Sequence, residues 1–211
     1  LDIKLLKSLH PDQLTTGSAY FSLQAAASAA AECRQCGLCD RRKTVVFSSG
    51  DPHAELMIIG EAPGRHEDES GLPFVGRAGQ LLDKILNSVS ISRDEVYICT
   101  IVKCRPPQNR MPTVEEIRAC KPFLDAQLHH VQPKLILLAG STAVQAVLQV
   151  KDPISRIRGK WFEYKNSARV MAVFNPSYLL RSDSREKGSP RWLMWQDIQE
   201  VSRALNALQQ K

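Results

Sequence analysis

Apolar residues in this chain gather into short solid runs, and between the runs they recur every three or four positions. The solid runs are TVVF (44–47), LMIIG (56–60), VYICTIV (96–102), LILLAG (135–140) and VMAVF (170–174). Runs that are apolar at every position suit strands buried on both faces, as in a parallel sheet under two helical layers. AGQLLDKILNSV (78–89), TVEEIRACKPFLDAQLHHV (113–131) and STAVQAVLQV (141–150) carry helical spacing, and WLMWQDIQEVSRALNALQQ (192–210) reads as a closing helix. Thr113 with Glu116 forms a capping box at the start of the second of these. The alternation predicts an α/β fold, three-layer α/β/α with a mainly parallel central sheet. Residues 1–30, including most of the Ala-rich QAAASAAAEC, read as a helical extension, and 31–211 as a single domain with no internal repeat or low-complexity linker.

In open α/β sheets ligands bind beyond the carboxyl ends of the strands. The segments expected there are GEAPGR (60–65), CTIVKCRPP (99–107), GST (140–142) and NPSYLLR (175–181).

Composition narrows the partner class. At 211 residues and 43% hydrophobic the chain can bury one sizeable core. No stretch approaches the roughly 20 apolar residues that span a bilayer. The opening LDIKLLKSLH is too charged for a secretory signal, so a cytoplasmic location is the expectation. A formal charge of +6 and a pI near 9.1 favour polyanionic partners, because clustered Lys and Arg neutralise phosphates and release counterions.

Six cysteines, at 33, 36, 39, 99, 104 and 120, point to a metal site rather than disulfides in a reducing compartment. A CxxC places two thiolates on one turn, and Cys104 with Cys120 can complete a four-coordinate set for Zn²⁺ or an iron–sulfur cluster. Spacing alone leaves open whether Cys36 or Cys39 is a ligand. Such a site would tie the N-terminal segment to the middle of the chain. The His129-His130 pair falls near a helix end and reads as surface.

The strand ending at Gly60 delivers Glu61 into the expected crevice. GxGxxG and GxxxxGK[ST] are both absent, which removes the main support for dinucleotide and P-loop chemistry. Gly60, Gly64, Gly76 and Gly79 would permit close backbone approach to a ligand, with Gly79 just ahead of a helix whose amides suit a phosphate. Phe74, in a Gly-rich loop, is a candidate stacking platform as well as a core residue.

GEAPGRHEDESGLPFVGRAG, VKCRPPQNRMPT, NPSYLLR and the CxxC at Cys33 and Cys36 together resemble the family 4 uracil-DNA glycosylases, the iron–sulfur members of that superfamily. The likeness runs in order and spacing through nearly all of residues 30–205. It implies a [4Fe–4S] cluster on Cys33, Cys36, Cys104 and Cys120, leaving Cys39 and Cys99 as non-ligands. It further implies a monofunctional, monomeric enzyme that excises uracil from single- or double-stranded DNA and needs no diffusible cofactor or membrane. Glu61 would then stabilise positive charge at the sugar and orient water, Phe74 would stack on the flipped base, and Ala62 and Thr100 would line the substrate pocket. Ser177 and the amides near Gly79 and Gly140 would contact phosphate. Leu179, Leu180 and Arg181 would form the intercalating and backbone-gripping loop.

Two pocket positions depart from that family's pattern. Its His-Pro-Ser is Asn175-Pro176-Ser177 here, and its pocket Asn aligns with Thr100. Asn175 is still a hydrogen-bond donor but cannot become a cation, and Thr100 offers one hydroxyl where an amide offers a donor and an acceptor. Uracil excision weakened at these two positions is the first expectation. A glycosylase for another modified base and a DNA-binding module without activity are the alternatives.

Overall fold

In the computed structural model, which describes residues 18–210, every residue of LMIIG is buried, and the run divides its side chains between two cores. Leu56 and Ile58 pack on one side of the sheet, and Met57 and Ile59 on the other. This is the period-2 signature of a strand covered on both faces. The sheet holds six strands in the order β1 (Ser49–Gly50), β3 (Tyr97–Thr100), β2 (Leu56–Gly60), β4 (Leu135–Ala139), β6 (Arg169–Val173) and β5 (Trp161–Glu163). The central strands β3, β2, β4 and β6 are parallel, and β1 and β5 are antiparallel edges. Side chains of α1 (Leu23–Glu32), α4 (Val114–Val131), α5 (Ser141–Leu148) and the short α6 (Ile154–Ile157) share the core with Met57 and Ile59. Leu82 and Leu86 of α3 (Arg77–Asn87), Leu179 of α7 (Pro176–Leu179) and Met194, Ile198 and Val201 of α8 (Pro190–Gln209) pack with Leu56 and Ile58. The three-layer α/β/α expectation holds. Among the described residues no helix is long and apolar enough to cross a membrane.

Differences from the sequence expectation have local causes. TVVF is not a strand: Val46 is buried and donates its N–H to the Lys103 carbonyl at 2.8 Å, but residues 101–104 opposite it are bent and offer no ladder to extend. For the same reason the 96–102 run stops being a strand at Thr100. The edge strand β5 was not foreseen, because its half-buried residues lack the solid apolar signature of a central strand. The expected N-terminal helix exists as α1, and the remainder of that expectation, residues 1–17, lies outside the described residues.

One buried ion pair locks the closing helix to the sheet. Arg158 Nε donates to Asp197 Oδ2 at 2.7 Å, while Nη2 donates to Asp197 Oδ1 and, at 3.1 Å, to the Leu193 carbonyl. Gly159, at φ +71°, leaves the room: a Cβ there would lie 2.4 Å from Asp197 Oδ1. Asp197 is 2% exposed, and burial pushes its carboxyl up while Arg158 pulls it down. Removing the guanidinium strands a buried carboxylate, so Arg158→Met is expected to cost about 3–5 kcal/mol of stability. Urea denaturation should show a lower midpoint at unchanged slope; a midpoint near wild type would mean the pair is dispensable.

Candidate active site

Because β2, β3, β4 and β6 run parallel, their carboxyl ends open on one edge of the sheet, with Gly60 beside Thr100 and Ala139 beside Val173. Glu61 leaves β2 there, half-buried, and its Oε2 accepts a hydrogen bond from the Thr142 hydroxyl in the first turn of α5. Oε1 has no hydrogen-bond partner among the described residues, so one oxygen is anchored and the other is left without a protein donor.

Asn175 follows β6 and caps α7. Its Oδ1 accepts from the Ser177 N–H at 3.0 Å and from the Ser177 hydroxyl at 2.9 Å. With the oxygen doubly engaged, the amide orientation is set and Nδ2, on the Gly140 side, is left as the donor. Gly140, at φ +100°, closes the gap between β4 and this turn: a Cβ on it would meet Asn175 Cβ at 3.1 Å and Nδ2 at 3.4 Å.

Phe74 covers the β2 end. It is 8% exposed and holds φ +53°, a conformation that costs a non-glycine residue about 1–3 kcal/mol. A Cβ on Gly60 would fall 2.5 Å from the Phe74 ring and 3.4 Å from the Thr100 methyl, so ring, glycine and threonine form one packed wall. The Thr100 hydroxyl donates to the Val102 carbonyl at 2.8 Å. Its proton is therefore engaged inside the protein, and with Thr100 only 2% exposed the side chain offers no free donor to a ligand.

The carboxyl edge of the sheet thus carries Glu61 after β2, Thr100 at the end of β3 and Asn175 after β6, with Phe74 from the 71–76 loop against Gly60 and Ala62 half-buried next to Glu61. Other sequence expectations change. Leu179 cannot be an intercalating residue, because it is 1% exposed and packed in the core with Met194 and Ile198. Leu180 is half-buried, Arg181 is exposed, and the large apolar side chain that α7 presents outward is Tyr178, 46% exposed. Gly79 is not ahead of a helix but inside the first turn of α3, where a Cβ would meet the Phe74 carbonyl at 1.8 Å; the loop, not a ligand, excludes a side chain there. Both Ser177 donors are engaged by Asn175.

Residues that sequence reasoning passed over support this edge. Thr142 was legible only as part of GST, with nothing to pair it with Glu61. Lys103, fully buried, donates through Nζ to the Thr100 carbonyl and to Gln127 Oε1 at 2.6 Å. Gln127 Nε2 in turn donates to the Phe47 carbonyl at 2.8 Å. This network braces the strand end that carries Thr100.

The cysteines form a separate recess. Cys33, Cys36, Cys104 and Cys120 line it with Cys39 at the same opening, whereas Cys99 is buried in the sheet core. Cys104 Sγ accepts from Arg42 Nη1 at 3.3 Å and Cys120 Sγ from the Lys103 N–H at 3.2 Å; Cys39 donates to Asp40 at 3.4 Å. N–H···S contacts favour thiolates. Burial pushes the Cys120 thiol up to about 11 and raises Cys104, so both thiols would hold their protons unless a metal centre displaced them. Among the described residues no group of three or more His, Cys, Asp or Glu is arranged to hold a single metal ion. Four thiols around one recess are a donor set that either Zn²⁺ or an iron–sulfur cluster accepts.

Comparison with known proteins gives the family. The family model of the uracil DNA glycosylase superfamily matches residues 47–199. The chain is 41% identical over 171 residues to a Type-4 uracil-DNA glycosylase of Thermotoga maritima, covering 81% of this chain and 88% of that protein. It is 40% identical over 163 residues to a Type-4 uracil-DNA glycosylase of Archaeoglobus fulgidus, covering 74% and 82%. A Type-5 uracil-DNA glycosylase of Pyrobaculum aerophilum is 37% identical over 147 residues, covering 62% and 64%.

Proposed function

The chain belongs to the uracil-DNA glycosylase superfamily, and from that premise we propose that it excises uracil from DNA by hydrolysing the N-glycosidic bond, with Glu61 as the principal catalytic group and Asn175 as donor to the leaving base. The observation that carries the reading is the placing of an anchored carboxylate after β2 and an oriented amide after β6, linked across β4 by Thr142 and Gly140, with the Phe74 ring against Gly60.

Excision begins with extrusion of the nucleotide, at an unstacking cost of a few kcal/mol. Basic residues on this +6 chain offset part of it through phosphate contacts, Arg181 among them. Phe74 receives the flipped base on its ring. As the glycosidic bond breaks the sugar becomes oxocarbenium-like, and a carboxylate beside it is attractive only to that developing charge. Thr142 fixes one Glu61 oxygen, and the other faces the sugar and holds the attacking water. Negative charge collects on the departing base, where Asn175 Nδ2 donates a neutral hydrogen bond. Thr100, buried with its hydroxyl turned to the Val102 carbonyl, supplies no second donor, and this weakens discrimination at the base edge.

Cys33, Cys36, Cys104 and Cys120 would hold a [4Fe–4S] cluster. There it would join the α1 segment to α4 and to the 101–104 bend.

The test is a single-turnover assay on labelled oligonucleotides bearing one uracil, single-stranded or opposite guanine, with alkali to reveal abasic sites. Cleavage at uracil supports the reading. Salt-sensitive binding with no abasic product would overturn it in favour of a binding module, and cleavage at another base would redirect the specificity. Asn175→His restores a donor that can carry positive charge, so it is expected to raise the rate about 10²-fold, measured in the same assay. An unchanged rate would remove residue 175 from leaving-group stabilisation.

A further inference from the structure

The ring that would receive the base stands on a loop with no regular secondary structure. Residues 71–76 connect α2 (Arg65–Ser70) to α3, and Phe74 holds its positive φ in their midst. Two side chains from outside that loop take up its backbone polar groups. Arg93 donates through Nη1 to the Phe74 carbonyl at 2.9 Å and through Nη2 to the Pro73 carbonyl. Glu67 Oε1 accepts from the N–H groups of Val75 at 2.9 Å and Gly76 at 2.8 Å, while its Oε2 accepts from Gly64 at 3.1 Å. Each clamp is itself held. Arg93 pairs with Asp83 of α3 at 2.8 Å and reaches Ser49 at 3.3 Å, and Glu67 is fixed within α2.

Two of the glycines expected to admit a ligand admit this carboxylate instead. A Cβ on Gly64 would lie 2.7 Å from Glu67 Oε2, and one on Gly76 would lie 3.3 Å from Glu67 Oε1. Carbonyls on one side of Phe74 and amides on the other are thus gripped by opposite charges, and the grip sets where the ring meets Gly60 and Thr100.

We infer that Glu67 and Arg93 are positioning residues that hold the Phe74 ring in register with the base pocket and act on the substrate only through that ring. The inference rests on the uracil-excision reading for its consequence, though not for its geometry. A charge-assisted grip keeps Phe74 in its left-handed conformation before any base arrives, so the stacking surface is formed in advance of flipping. Base stacking on an aromatic ring corresponds to roughly a five- to hundredfold effect, and a misplaced ring forfeits part of it.

The test pairs substrate kinetics with a measurement that needs no substrate. Arg93→Met and Glu67→Gln are made alone and on a Phe74→Ala background. Each single variant is expected to slow single-turnover uracil release about tenfold, and the loss should shrink to less than about twofold once Phe74 is alanine. Hydrogen exchange of the 71–78 segment should accelerate in both single variants. Losses that persist in full without the ring would overturn the inference by showing a general structural role. So would unchanged exchange, whatever the activity. A wild-type protein that releases no uracil, alongside single variants that show the accelerated exchange, would leave the clamp standing and defeat the activity reading. Should Arg93→Met fail to fold, Glu67→Gln with and without Phe74 decides the same question.

Discussion

Glu61→Ala is expected to lower the single-turnover rate of uracil release by about 10²–10³-fold while leaving affinity for DNA essentially intact. The carboxylate has no favourable work to do on neutral substrate, since its attraction grows only as the sugar becomes cationic. Its removal should therefore appear in the chemical step and not in binding. Thr142→Val supplies a graded companion: the hydroxyl holds Oε2, so its loss should loosen the carboxylate without removing its charge and cost less than the alanine change. Rates are read by alkali cleavage under enzyme excess, and affinity by titrating labelled duplex at fixed salt. An undiminished rate in Glu61→Ala would assign the sugar-stabilising role elsewhere. A binding defect equal to the rate defect would make Glu61 a uniform-binding residue.

Cys104→Ser is expected to yield a protein without the brown colour of an iron–sulfur centre and with its N-terminal segment loosened. Four lining thiols come from α1's C-terminal flank, the turn after it, the bend beyond β3 and α4, so the centre cross-links parts of the chain far apart in sequence. Structural metal centres contribute on the order of 10 kcal/mol to folding in small domains. The recess adjoins only the core on the Met57 and Ile59 side, where Cys104, Cys120, Ala30, Leu38 and Phe123 are buried, and the core on the Leu56 and Ile58 side shares none of these residues, so the loss should concentrate in α1 and residues 33–42 and appear as rapid proteolysis there. Iron and sulfide content, and the protease-sensitive sites, are the measurements. Full iron retention would bring Cys39, at the same opening, into the ligand set. Zinc in place of iron would overturn the cluster assignment.

Local pattern carried a large part of this fold. Solid apolar runs marked β2, β4 and β6, the Thr113–Glu116 box marked the start of α4, and strand ends marked Glu61, because period, capping and chain reversal are decided by neighbours a few residues apart. The family resemblance added the cysteine set and the pocket departures at Thr100 and Asn175. Tertiary structure decided what each residue meets. Thr142 reaches Glu61 across 81 positions, and Arg93 reaches Phe74 across 19. Neither pairing leaves a local signal. Leu179 stands in NPSYLLR between Tyr178 and Leu180, and only packing against α8 shows it to be core while Tyr178 faces outward. Gly64 and Gly76 announce missing side chains, and the fold alone reveals that a carboxylate of this same chain fills the space. Sequence by itself determined the periodic elements and the chemical inventory at the strand ends; the three-dimensional contacts determined which groups face the crevice, which support it, and which are buried beneath it.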